Sequence, residues 1–195
     1  MNKPSDILSL SLRLKEATHT IHEDLDKSIM AQGLFSSTDR YRNFVKLQYQ
    51  FHRDINVLYH HTQLVEIIPD LSARNRYAQI CLDMDDLDLS LASTPKPIDA
   101  EEASSAIGWL YVAEGSKLGA NFLIKLAKKL GFNEAFGARH LAADPGGRGS
   151  SWNAFKSAID HAGFDPALAA EGAQAGFLRV KSYLLAANDK HNAPA

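Results

Sequence analysis

Two histidines three residues apart, His19 and His22, stand in an N-terminal stretch whose apolar residues recur at helical spacing. At about 100° per residue, Leu10, Leu14, Ala17, Ile21, Leu25 and Ile29 form one stripe, and His22 falls at its edge. Lys15 lies close to His22 in angle and two turns earlier, about 10 Å along the axis. His19 is expected to point away, among polar residues. An imidazole at such a boundary can ligate a metal, with Lys15 set to meet an anionic group. It can equally be an ordinary boundary histidine hydrogen-bonded to a neighbour. The wheel does not choose between these readings.

A second stretch, Gly108-Trp-Leu-Tyr-Val-Ala-Glu-Gly-Ser-Lys-Leu-Gly-Ala-Asn-Phe-Leu-Ile-Lys125, is apolar nearly all round, which makes it a central helix. Gly115 and Gly119 sit in its interior with Ser116 between them, and each glycine costs about 1 kcal/mol against alanine. A close contact between small residues of two helices accounts for such a pair. So does bare, kinked backbone lying against a flat ligand. Heme has the matching layout for both stretches: carboxylates at one edge, and a central iron that takes imidazole as an axial ligand.

The elements that must position these residues read as helices. Expected spans are Asp6–Met30, Thr38–Gln63, Leu71–Leu91, Asp99–Leu130, Ser151–Ala162 and Pro166–Ala187. Asp99 with Glu102 three residues on forms a capping-box pattern, and Gly131 follows as a stop. The segment Asp144-Pro-Gly-Gly-Arg-Gly149 reads as a loop. No alternating run of β-branched residues competes, so the fold class is all-α. One domain is expected over residues 1–187, with a tail from Asn188 to Ala195 that frays.

Composition bounds the function. Of 195 residues, 45% are apolar and 23% charged, ordinary for a globular chain, and the net charge of −2 gives no basic balance to attract nucleic acid. The single cysteine, Cys81, excludes an internal disulfide framework and fits a reducing, cytoplasmic setting. No signal-peptide pattern and no apolar run of membrane-spanning length is found, so no membrane partner is expected.

Four ordered motifs then carry a resemblance that covers most of the chain. The run Leu14-Lys-Glu-Ala-Thr-His-Thr-Ile-His22 resembles the proximal-helix motif of heme oxygenases, whose ligand histidine lies four residues after the threonine. The Gly108–Ala120 run is similar to the distal helix of the bacterial branch, as are Phe136-Gly-Ala-Arg-His-Leu141 and Gly147-Arg-Gly-Ser-Ser-Trp152. The resemblance implies a multi-helix bundle with heme between the first helix and a glycine-kinked distal helix, and iron ligated by His22. It implies propionate contacts from Lys15 and Tyr111. A δ/β-selective bacterial subgroup carries Asn and Phe at those places, so this chain looks like the α-meso-cleaving type. It implies oxygen pressed against Gly115, Ser116 and Gly119. A distal water network is implied from Asp26, Gln48, His52, Arg76, His140 and Trp152. The implied reaction opens heme, which is both substrate and cofactor, with O2 and external electrons, giving biliverdin IXα, carbon monoxide and free iron. A ferredoxin or flavin reductase is then the implied electron donor, and a phytochrome one candidate recipient of the biliverdin.

Three other readings compete. A non-catalytic heme carrier or sensor would share the fold. A di-iron carboxylate oxidase needs two Glu-x-x-His pairs, and only Glu16-Ala-Thr-His19 has that spacing. A thiaminase-like enzyme needs a nucleophilic cysteine, whereas Cys81 lies on an ordinary amphipathic stretch. His60, His61, His161 and His191 match no motif and read as surface residues.

Overall fold

The computed structural model describes residues 8–91, 94–98 and 100–192, with 188–192 as backbone. Its α-helices are α1 (Leu10–Ala31), α2 (Thr38–Ile55), α3 (Thr62–Ile67), α4 (Tyr77–Asp86), α5 (Ala103–Lys129), α6 (Arg148–His161) and α7 (Pro166–Asn192). Among the described residues there are no strands, only isolated bridges at Asn133. The all-α expectation holds.

Polar side chains start α2, α5 and α7. Ser37 Oγ accepts the Arg40 N–H at α2, and Asp165 Oδ1 accepts the N–H groups of Ala167 and Leu168 at α7, just ahead of Pro166 at its first position. At α5 the cap is Glu102, whose carboxylate accepts the Ser104 N–H, and the helix begins at Ala103. The expected cap, Asp99, lies outside the described residues. The stop at Gly131 is as expected: its φ is +91°, open to glycine, and its N–H bonds the Lys128 carbonyl.

Two expected helices are broken. The span from Thr38 ends at Ile55, passes through a 3-10 turn at Asn56–His60, and resumes as α3 after an extended His61. Asn56, Val57 and Thr62 are weak helix formers at that junction. The span from Leu71 begins as a 3-10 turn and restarts at Tyr77, where the Asn75 side chain accepts the Tyr77 N–H at 2.9 Å. It stops at Asp86. At the other end of the chain α6 starts earlier than expected, at Arg148, and α7 continues past Ala187 to Asn192.

α5 is the central element, and α7 lies along it at backbone distance. A Cβ on Gly108 would sit 2.0 Å from the Ala169 carbonyl oxygen, and one on Gly172 would sit 2.2 Å from the Ser105 carbonyl oxygen. The close packing that interior glycines allow therefore falls at Gly108, about two turns before Gly115. α1 rests on α7 and α6, and Asp160 of α6 accepts both the N–H and the hydroxyl of Ser11 in its first turn. Residues 94–98 are clamped from below. The fully buried Asp54 carboxylate accepts the Lys96 N–H at 3.0 Å, Arg179 Nη1 at 2.7 Å and the Tyr183 hydroxyl.

Candidate functional site

Between α1 and α5 the core opens into a cavity of about 440 Å3. α7 and α2 complete it with Phe177, Val180, Phe44 and Phe51, and α6 adds Trp152. The walls are largely apolar. Polar groups enter from few directions, as in a site that seizes a mostly apolar ligand.

Nine of the twelve site residues expected from sequence line this one cavity: Lys15, His22, Asp26, Gln48, Tyr111, Gly115, Ser116, Gly119 and Trp152. His52, Arg76 and His140 do not. They are buried behind the wall, where the ring of His140 packs 5.9 Å from that of Phe44.

On α1, His22 stands at the opening with its side chain 55% exposed. Its ring meets Phe177 edge-on at 5.5 Å, and Asp26 Oδ2 lies 3.3 Å from Nδ1. That contact orients the imidazole and leaves Nε2 as the nitrogen available to a metal. Asp26, assigned by resemblance to the distal set, thus has His22 as its partner on α1. Lys15 sits two turns earlier at the exposed rim. His19 departs from expectation: it pairs with Glu23 at 3.4 Å yet also lines the cavity. Residues i and i+3 share a helix face, so the stripe-edge argument that favours His22 does not send His19 elsewhere.

On α5, which runs unbroken through both glycines, the cavity meets bare backbone. A Cβ added at Gly119 would find no atom within 4 Å, and one at Gly115 would touch only the Trp152 ring, at 3.6 Å. Neither glycine brings the backbone of another helix close, so of the two sequence readings the ligand-facing one fits. The Ser116 hydroxyl donates to the Ala113 carbonyl at 2.7 Å. Tyr111 is buried beside Trp152, ring centroids 5.3 Å apart, and burial with the nearby Asp160 carboxylate raises its phenol pKa.

Behind the cavity, one turn along α2 from Gln48, lies His52. Burial, followed by the positive fields of His140, Lys117 and Arg76, pushes its pKa down to about 3, so it is neutral. His140 is held by Asp83, which accepts its Nδ1–H at 2.7 Å and its backbone N–H at 2.9 Å. Burial pushes the Asp83 carboxyl up, but these bonds and the His140 charge outweigh it and hold it below the ordinary value. Arg76 donates to the Ala142 carbonyl and to Asp144. Three buried nitrogens in this group, His52 Nδ1, His140 Nε2 and Arg76 Nε, have no protein partner. Buried polar atoms of this kind are ordinarily satisfied by ordered water.

The competing chemistries find no support here. Among the described residues no group of three His, Cys, Asp or Glu side chains is arranged to hold a metal. Burial raises the Cys81 thiol pKa, which makes it a poor nucleophile. The contribution of α7 through Phe177 and Val180 has no sequence signal, because nothing local says which helix lies under α1. The buried ionic group Tyr59, Arg74, Glu114 and Lys117 was also missed. Its only trace is two charges inside a helix that is otherwise apolar.

The heme oxygenase family model matches residues 8–184. Heme oxygenase PigA of Pseudomonas aeruginosa is 37% identical over 179 residues, covering 89% of this chain and 90% of that protein. The NO- and CO-bound heme oxygenase of Neisseria meningitidis superposes with a TM-score of 0.87 at 38% identity, over 92% of each chain. Heme oxygenase 2 of Chlamydomonas reinhardtii, solved without heme, shares the fold at a TM-score of 0.70 and 16% identity, over 92% of this chain and 97% of that one. On the family match over nearly the whole chain, and on the likeness to named relatives in both sequence and fold, the chain belongs to the heme oxygenase family.

Proposed function

We propose that this heme oxygenase holds heme in the α1–α5 cavity with His22 as the iron ligand, Lys15 and Tyr111 toward the propionates, and the porphyrin opened at its α-meso position. The products are then biliverdin IXα, carbon monoxide and free iron. One observation carries the reading: the imidazole of His22 and the bare backbone of Gly115 and Gly119 line the same apolar cavity from different helices. The residues present fit the group. About 440 Å3 is within the usual range for a cofactor-sized pocket, and the open space at Gly119 is a cradle that a side chain would fill. When bound, heme supplies the iron that activates oxygen and the carbon skeleton that is oxidised.

The chain's own residues supply orientation and protons. His22, oriented by Asp26 and Phe177, donates its Nε2 lone pair. Lys15 offers an ammonium at the rim. The glycine backbone of α5 limits the space on the opposite side, and Trp152 closes its end. The carboxylate that lines the cavity, Asp26, is engaged with His22 on α1 and none comes from α5, so protons travel by water. The neutral ring of His52 and the open valences on His52, His140 and Arg76 support an ordered water chain reaching the cavity past Gln48. Electrons come from a separate donor, a ferredoxin or a flavin reductase.

The test is direct. With hemin, ascorbate and catalase present, the Soret band of the wild-type complex disappears, and chromatography of the pigment yields the IXα isomer. His22→Ala loses the histidine-ligated spectrum, and added imidazole restores it. A Soret band that persists while ferrous heme accumulates would make the chain a carrier. A spectrum unchanged in His22→Ala removes His22 from the ligand role.

A further inference from the structure

One buried cluster takes no direct part in that chemistry, although its Lys117 adds to the field on His52 and stands 3.9 Å from Asp144, the partner of Arg76. Glu114 is 1% exposed and stands on α5 directly before Gly115 and Ser116. Its Oε1 accepts the Tyr59 hydroxyl at 2.9 Å, and its Oε2 accepts Arg74 Nη1 at 3.2 Å and Lys117 Nζ at 2.9 Å. Lys117, also buried, donates to the Arg74 backbone carbonyl at 2.9 Å. The Lys117 carbonyl in turn accepts Arg148 Nη1 at 2.9 Å. Glu114 and Lys117 thus flank Gly115 and Ser116, with Gly119 two residues further on, and tie this backbone to the turn at Leu71–Arg74 and to the start of α6.

Arg74 extends the tie to the far wall. Its Nη1 donates to the Ser151 carbonyl at 3.1 Å and hydroxyl at 3.0 Å, and Nη2 meets Asp70 at 2.9 Å. The residue after Ser151 is Trp152, whose ring lies over Gly115 and beside Tyr111. One guanidinium therefore fixes both the α5 backbone at the cavity and the indole that closes it.

Burying two charges and an arginine beside two helix-weakening glycines is costly, and an apolar cluster would hold the helices as well. A hydrogen-bonded ionic network, here partnered at each charged group with only Arg74 Nε left over, does something an apolar one does not: it favours a single arrangement. Residues 115 and 119 have no side chains of their own to choose a position against neighbours. We propose that Glu114, with Arg74 and Lys117, is a positioning cluster that fixes the α5 backbone at 115–119 and Trp152, and through them which position of the porphyrin is oxidised. The last clause rests on the reading that heme occupies this cavity.

The experiment compares the full-length wild type with Glu114→Gln and Lys117→Met. Lys117→Met removes one donor and leaves Glu114 paired with Arg74 and Tyr59, so it serves if Glu114→Gln fails to fold. In the first arm, without heme, amide exchange of residues 115–120 is expected to rise at least about tenfold over wild type, with residues 104–110 of the same helix unchanged. A merely structural role would raise exchange along all of α5 together. In the second arm, heme turnover is expected to give a mixture of biliverdin isomers where wild type gives one. Unchanged local exchange overturns the cluster as a clamp. Faster local exchange with a wild-type isomer ratio overturns its link to regiochemistry. A wild-type protein that produces no biliverdin overturns the heme reading instead, while the exchange arm still decides the clamp.

Discussion

Glycines in one helix do opposite jobs, and the difference is measurable. At Gly119 there is only open space for a Cβ, so Gly119→Ala should stabilise the apoprotein by about 0.5–1 kcal/mol, the ordinary gain for a helix interior. Gly119→Leu should fold as well but lose hemin binding in a spectroscopic titration, because its side chain enters the cavity. Gly108→Ala drives a methyl into the Ala169 carbonyl and should cost at least about 2 kcal/mol by urea denaturation. Equal effects at the two positions would contradict the division between cavity and packing. His52 offers a second residue-scale test. The folded protein keeps it neutral down to about pH 3, whereas the unfolded chain takes up a proton near the ordinary value of 6.5. As pH falls through that window the unfolded state binds more protons, so stability declines by up to about 1.4 kcal/mol per pH unit from this one group. His52→Leu should flatten the dependence between pH 6 and pH 4. Matching slopes in the two proteins would show that His52 is not held neutral.

Helices here are held to one another by few polar ties, and Asp54 is the one with most at stake. Its carboxylate gathers α2, α7 and residues 94–98, and its side chain has no exposure to water. Removing it in Asp54→Ala leaves the Tyr183 hydroxyl without its acceptor and Arg179 with only the Lys96 and Pro97 carbonyls. Losing one partner of a buried ion pair costs about 3 kcal/mol, with some relief because Arg179 keeps partial contact with solvent. The expected readouts are a lower urea midpoint at unchanged m-value and new proteolytic cleavage within residues 94–98. A midpoint within error of wild type would mean that the clamp contributes nothing net. The Ser11–Asp160 tie does a related job for α1, fixing its first turn to α6 so that Lys15 and His22 sit at the cavity's edge.

Across the molecule, legibility followed locality. The stripe of α1, the apolar length of α5 and its stop at Gly131 depend on residues within a few turns, and these elements stand where the periodicity puts them. The breaks at Ile55 and Asn75 were hidden because apolar spacing continues through both, while a 3-10 turn and an asparagine side chain reset the backbone. His19 was misdirected by treating a helix face as narrower than it is. Phe177, Asp83 and the Glu114 cluster could not be read at all, since each acts across more than fifty residues or from a helix whose neighbours the sequence does not name. The resemblance reached further than periodicity did: it named His52, Arg76 and His140 as one set, and the structure buries all three behind the cavity wall.

The gap between α1 and α5 has a consequence for how long the protein lasts. Leu25, Ile29, Val112, Leu123 and Phe177 face that gap with no protein atoms to fill it, so the hydrophobic interior is left unfinished. Heme seated there, as proposed, would complete it, and a ligand at a hundred times its Kd adds about 2.7 kcal/mol of stability. On that seating, turnover destroys the very piece that completes the fold. Each catalytic cycle returns the chain to its loosest form, and hemin should protect α1 from protease only until a reductant is added. An apoprotein as resistant as the hemin complex would show that the interior closes without its substrate. If protection is lost with the heme, survival of the enzyme follows supply: plentiful when there is heme to break down, and cleared when there is none.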